Sequence, residues 1–228
     1  MEGAEIVVVV AGGPGAEPAH LALLRTLPPG VRVVAADGGV DRALALGLRV
    51  AVAVGDFDSV SSSGLEAAAE TGARIDRYPA DKDATDLELA LDAALELGAG
   101  RILVLGSAEG RLDHLLSSLL LLGSDRFACV ELDALLGPAT VHVVRAGGEA
   151  GRCLEGSPDE LVSLLALHGP AAGVVTEGLR YALDRETLEP GSSRGISNVF
   201  AATEASISLE TGVLLAVRPG GEPDRGTG

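Results

Sequence analysis

The sequence predicts a two-part α/β protein: a parallel-sheet α/β domain followed by a small antiparallel β-sandwich. Three observations predict it. Short aliphatic runs alternate with Ala/Leu-rich helical stretches from Ile6 to about Asp125. From about Ala139 the helical periodicity fades and short strand-like runs separated by Gly and Pro take over. Acidic residues cluster directly after the runs of the first half, where open α/β sheets place their ligands.

Ile6–Val10, Val31–Ala36, Val50–Val54 and Arg101–Leu105 have strand length and little polar alternation, as strands buried on both faces do. Helices are expected over Pro18–Leu27, Val40–Leu46, Gly64–Thr71, Leu87–Leu97 and Leu112–Leu122. Leu87, Leu91, Ala94 and Leu95 fall on one helical face. Strand, helix, strand, helix is the signature of a parallel sheet with helical crossovers.

In the second half, strands are expected over Thr140–Arg145, Glu160–Leu167, Gly173–Thr176, Ala205–Leu209 and Val213–Val217. Val141-His142-Val143 and Ser206-Ile207-Ser208-Leu209 alternate as half-exposed strands do. A boundary near Gly137-Pro138 gives domains of 1–137 and 138–217, with a disordered tail over 218–228.

Composition narrows the function. The 228 residues are 47% hydrophobic and 22% charged, so a folded core is expected. Aromatics are only 2%, which leaves the core to Ala, Val and Leu. A net charge of −16 argues against general binding to nucleic acid or anionic lipid, but not against a phosphate held through metal ions. Cys129 and Cys153 form no CxxC pair and are expected to be ordinary buried thiols. No apolar run is long enough to span a membrane, and the acidic opening Met1-Glu2-Gly3-Ala4-Glu5 is unlike a signal peptide. The expected location is the cytoplasm.

The chemistry is expected in the loops. Val31–Ala36 runs into Asp37-Gly38-Gly39, and Val50–Val54 into Gly55-Asp56-Phe57-Asp58-Ser59. Arg101–Leu105 runs into a loop ending Glu109-Gly110-Arg111-Leu112-Asp113-His114. Asp81-Lys82-Asp83-Ala84-Thr85-Asp86 opens the helix Leu87–Leu97. Acidic loops on one rim repel one another unless cations bridge them, and oxygen-rich sites of this kind suit Mg2+. Each piece also has a plain structural reading. Asp56 and Asp58 could be a solvated turn, Asp37-Gly38-Gly39 a turn, and His114 a satisfied structural histidine. Asp83 and Asp86 fit the N-cap and N3 positions of the following helix. Gly12-Gly13-Pro14 has neither GxGxxG spacing nor a Walker lysine. Lys82, the only lysine, sits inside an acidic cluster, where it either neutralises its neighbours or clamps a transferring phosphate. Arg111 could grip a phosphate with its fork of donors.

Together with Gly195-Ile196-Ser197-Asn198, this ordered set resembles the thiamine pyrophosphokinase family from Val9 to about Val217. The resemblance implies a nucleotide-binding α/β domain and a thiamine-binding β-sandwich, in a homodimer with its active sites at the subunit interface. It implies transfer of the pyrophosphoryl group of ATP to thiamine, with ATP as co-substrate and Mg2+ as cofactor. Asp56, Asp58 and Asp86 would hold metal and take part in catalysis with Lys82 and Arg111. Asp37, Gly38, Asp83, Thr85, Asp113 and His114 would bind the nucleotide. Tyr181, after Gly178-Leu179-Arg180, would stack on thiamine, with Ser197 and Asn198 beside it. Glu109 stands where the family often has glycine, and Arg180 where it has lysine. Two other readings keep part of this pattern: a pyrophosphokinase acting on a hydroxymethylpterin, and a non-catalytic thiamine or nucleotide sensor.

Overall fold

The computed structural model describes residues 5–13, 18–147 and 151–220. The chain divides into two compact units. The first comprises 1–121 and 129–137, and the second 122–128 and 138–228.

Among the described residues, six strands form the sheet of the first unit: β1 (Ile6–Val10), β2 (Arg32–Ala36), β3 (Val52–Gly55), β4 (Arg74–Arg77), β5 (Arg101–Gly106) and β6 (Glu131–Leu136). All neighbours are parallel, in the order β4-β3-β2-β1-β5-β6. The chain builds outward from β1 through β2 and β3 to β4, then crosses to the other side of β1. The strand order therefore reverses at β1, and ligand sites are expected beyond the carboxyl ends near such a reversal. The crossovers carry α1 (Pro18–Leu24), α2 (Gly39–Ala45), α3 (Ser62–Glu70) and α4 (Asp86–Glu96), and α5 (Leu112–Leu122) follows β5. Val7 to Val10 and Leu105 are fully buried, as the unbroken aliphatic runs require.

Two strands of this sheet were not foreseen. β4 reads Arg-Ile-Asp-Arg because it is the sheet's outer strand, where charge blocks further pairing. β6 carries Asp133 in its middle, which breaks the apolar run. That carboxylate is buried, and Arg101 on the adjacent β5 donates to it over 2.7 Å.

The second unit is antiparallel. Its strands are β7 (Ala139–Arg145), β8 (Arg152–Glu155), β9 (Leu161–Glu177), β10 (Glu186–Leu188), β11 (Asn198–Val199), β12 (Glu204–Ser208) and β13 (Thr211–Arg218). The two strands expected at Glu160–Leu167 and Gly173–Thr176 are one long strand. It bends where His168, Gly169 and Gly173 take positive φ. Before the bend β9 pairs with β13 and β11, and after it with β12 and β10. Phe200, Ile207, Leu214, Val162 and Val174 share one buried core. Arg218, expected to begin a disordered tail, closes β13, and residues 221–228 lie outside the described residues. Cys129 and Cys153 are both exposed, contrary to expectation. Cys153 sits on the outward face of β8, whose inward residue is Leu154.

Candidate functional site

Three strand exits of the first unit bring the acidic residues together. Asp37 follows β2 with φ of 44°, and its N–H donates to Val54 O over 2.8 Å. Phe57, between Asp56 and Asp58, has φ of 63°. The turn is thus left-handed rather than extended, and non-glycine residues in that region cluster at functional sites. One carboxylate oxygen from each of Asp37, Asp56 and Asp58 lies within 4.8 Å of the others.

Gly55 makes the meeting possible. It has φ of 148°, and a Cβ there would stand 3.2 Å from both Asp37 Cβ and Asp86 Oδ1. The bare backbone lets the ends of β2, β3 and α4 converge.

Asp86 reaches the site from the first turn of α4. The capping differs from the one expected at Asp83 and Asp86. Thr85, not Asp83, is the N-cap, and its Oγ1 accepts from Glu88 N over 3.2 Å. That makes Asp86 the first helical residue and Glu88 the third, the spacing of a capping box. Lys82 Nζ lies 3.0 Å from Asp86 Oδ1 and 3.5 Å from Asp56 Oδ2, with only 12% of its side chain exposed. Asp83 is exposed in the same loop.

The electrostatics follow. Burial pushes the Asp86 carboxyl above the usual carboxylate range, Lys82 pulls it back, and the charges of Asp37 and Asp56 push it up again. Burial alone would lower the Lys82 ammonium, but its pairs with Asp86 and Asp56 outweigh it and hold it above the ordinary lysine value. Asp37 Oδ1 is buried with no hydrogen-bond partner among the described residues. A buried carboxylate oxygen left in that state beside two more carboxylates fits a hard divalent cation such as Mg2+.

Arg111, Asp113 and His114 follow β5 and do not join the three-carboxylate group. They open α5 and are exposed. Arg111 forks onto its neighbour Asp113, with Nη2 to Oδ2 at 2.6 Å and Nε to Oδ1 at 3.2 Å. That guanidinium holds the Asp113 carboxyl at about 2. Glu109 N donates to Ser107 Oγ over 3.0 Å. Gly38 lies between Asp37 and α2, where a Cβ would stand 3.2 Å from Ser59 O.

The second unit holds a cavity of about 350 Å³, lined by Tyr181, Leu183, Ser193, Arg194, Ile196 and Asn198 among others. Its size and mixed lining suit a small organic ligand. Tyr181 is 58% exposed, which leaves its ring available for contact. Asn198 is buried, and its side-chain amide is engaged with backbone. Oδ1 accepts from Tyr181 N over 3.0 Å and from Val199 N over 2.9 Å, while Nδ2 donates to Tyr181 O over 2.8 Å. Asn198 thus grips the backbone that carries the Tyr181 ring. Ser197 is exposed with φ of 57°, and its N–H donates to Ser163 Oγ over 3.1 Å. Arg194 forks onto Glu186 at the same cavity, with Nη2 to Oε1 at 2.8 Å.

Comparison with known proteins matches both halves. Residues 30–131 match the family model for the thiamin pyrophosphokinase catalytic domain, and residues 153–214 match that for the thiamin pyrophosphokinase vitamin B1 binding domain. The chain belongs to the thiamin pyrophosphokinase family. A thiamine pyrophosphokinase of Bacillus subtilis is 27% identical over 144 residues. That match spans 62% of this chain and 65% of the relative's length. The crystal structure of a Bacillus subtilis thiamine pyrophosphokinase superposes with a TM-score of 0.79 at 25% identity, covering 93% of this chain and 98% of that one. The crystal structure of a thiamin pyrophosphokinase from Geobacillus thermodenitrificans gives a TM-score of 0.77 at 28% identity, with coverage of 95% and 98%. Among the described residues, no helix is long and apolar enough to cross a membrane.

Proposed function

We propose that this chain transfers the pyrophosphoryl group of ATP to the hydroxyl of thiamine, giving thiamine diphosphate and AMP. One observation carries the reading. Asp37, Asp56 and Asp58 gather beside Lys82 at the carboxyl edge of a parallel sheet. They do so in a chain whose two halves match the catalytic and vitamin B1 binding domains of one family.

The roles follow from the chemistry of the groups. Asp37, Asp56 and Asp58 would hold Mg2+, which neutralises polyphosphate oxygens when bound. Lys82 supplies a fixed positive charge at the group in transfer. The thiamine hydroxyl oxygen bonds to the β-phosphorus of ATP, the bond from that phosphorus to the bridging α-phosphate oxygen breaks, and AMP leaves. Asp86, which stands outside the three-carboxylate group and is paired with Lys82, would take the hydroxyl proton. Gly38, Asp83, Thr85, Arg111, Asp113 and His114 are assigned to the nucleotide side.

Residues 1–137 form the catalytic domain in this reading, and 138–217 the thiamine-binding β-sandwich. Tyr181 stacks on the cationic ring, a contact of roughly 0.5–2 kcal/mol. Ser197 flanks it, and Asn198 holds it in place. Leu112, Leu116 and Leu120 are exposed at intervals of four along α5, on a face suited to a second copy of the chain. We assign the protein to the cytoplasm as a homodimer with its active sites at the subunit interface.

Phosphorus NMR tests the reaction type. ATP, thiamine and Mg2+ should give AMP and thiamine diphosphate. Formation of ADP and thiamine monophosphate would replace pyrophosphoryl transfer with phosphoryl transfer.

A further inference from the structure

Arg77 ends β4, at the outer edge of the parallel sheet, and lies directly opposite Gly55 in the strand register. The next residue ties the two strands again, since Tyr78 N donates to Gly55 O over 2.9 Å. From that fixed point the Arg77 side chain reaches over the two residues that follow Gly55. Its Nη1 donates to the Asp56 carbonyl over 2.8 Å. Its guanidinium carbon stands 4.9 Å from the centre of the Phe57 ring. The ring itself belongs to the buried core of the first unit. Phe57 is the residue with left-handed backbone between the two site carboxylates.

We infer that Arg77 is a positioning residue for the cation site: it holds the Asp56-Phe57-Asp58 turn in its left-handed form, so that both carboxylates converge with Asp37. A left-handed phenylalanine costs free energy and persists only where its surroundings over-determine it. The donor to Asp56 O and the guanidinium over the Phe57 ring supply that constraint from outside. A guanidinium is suited to this because it stacks and donates at once. The inference rests on the proposed cation site, and extends it to a residue that carries no carboxylate.

The sign of one measurement separates positioning from plain electrostatics. Arg77 brings positive charge near a site for a positive ion. If charge were its only contribution, Arg77→Ala would tighten cation binding. As a positioning residue, its loss weakens binding, by roughly 10- to 100-fold for a group that orients metal ligands. The probe is Mn2+ alone, titrated into the full-length protein and read by electron paramagnetic resonance. Amide exchange over residues 55–60 should rise in the same variant. Phe57→Leu keeps an apolar side chain in the core but removes the ring face, and should weaken Mn2+ binding in the same direction. Combined with Arg77→Ala it should add little, because both changes release one turn. Arg77→Gln, which can still donate to Asp56 O, should recover part of the loss. Unchanged or tighter Mn2+ binding in Arg77→Ala would overturn the inference, as would additive losses in the double variant. Wild-type protein that takes up no Mn2+, with or without ATP, would remove the cation site itself and this inference with it.

Discussion

Lys82 and Asp86 stand four residues apart, with Nζ 3.0 Å from Oδ1, at the point where the β4–α4 loop becomes helix. The same ammonium is 3.5 Å from Asp56. The only lysine of the chain thus neutralises carboxylates delivered by two different loops.

Replacing Lys82 with Met removes that charge and leaves Asp37, Asp56 and Asp86 facing one another. The turnover number should fall by roughly 100-fold or more, the scale for losing one preorganised charge at a transfer site. The melting temperature of metal-free protein should also fall, and excess Mg2+ should restore part of it by screening the carboxylates. Steady-state assays and melting curves with and without Mg2+ check both parts.

Gly55→Ala tests the close approach. The added Cβ meets Asp37 Cβ and Asp86 Oδ1 at 3.2 Å, in a backbone conformation that alanine disfavours. A loss of about 1–3 kcal/mol of stability is expected, together with loss of activity. Gly47→Ala is the control, since Gly47 also has positive φ but has open space where its Cβ would go. It should cost some stability and leave activity alone.

The Asp86 carboxyl should titrate above its ordinary value of 3.8 in metal-free protein, because burial disfavours its charged form. Carbon-13 NMR of labelled aspartate reads this directly. Its contribution to stability is fully present below the ordinary value and is lost as pH rises through the folded value. In Lys82→Met the midpoint should rise further, since Lys82 is what holds it down. Lys82, itself raised, contributes stability that persists below its ordinary 10.5 and disappears as pH rises through its folded value. A midpoint below 3.8 for Asp86 would reverse this account of the site's electrostatics.

The proposed shared-site dimer makes a mixing prediction. Asp58→Asn should abolish transfer with little change in melting temperature, because Asp58 is exposed. Tyr181→Ala should be strongly impaired. After subunit exchange, an equal mixture should recover activity at about a quarter of the sites if each site draws Asp58 from one subunit and Tyr181 from the other. No recovery after exchange, from a dimer seen by light scattering, would place both residues in the site of one subunit.

The acidic strand exits were legible because their chemistry is local. Asp37, Asp56, Asp58 and Lys82 each stand beside a recognisable strand end or helix start. The cap of α4 is ambiguous in sequence because Asp83 and Thr85 can both cap, and only the backbone geometry shows that Thr85 does. β4 was hidden by its own edge charges, and β6 by Asp133, whose partner Arg101 is 32 residues away. Arg77 is hidden with its strand, as one of those edge charges. The grip of Asn198 on Tyr181 spans 17 residues and depends on the fold around it, so no spacing rule announces it.

The most direct test of the central claim is AMP release from ATP and Mg2+ with thiamine or a hydroxymethylpterin as acceptor. The account predicts AMP only with thiamine, in equal amount to thiamine diphosphate. AMP formed with the pterin instead, or none with either acceptor from folded protein that binds thiamine, would contradict it.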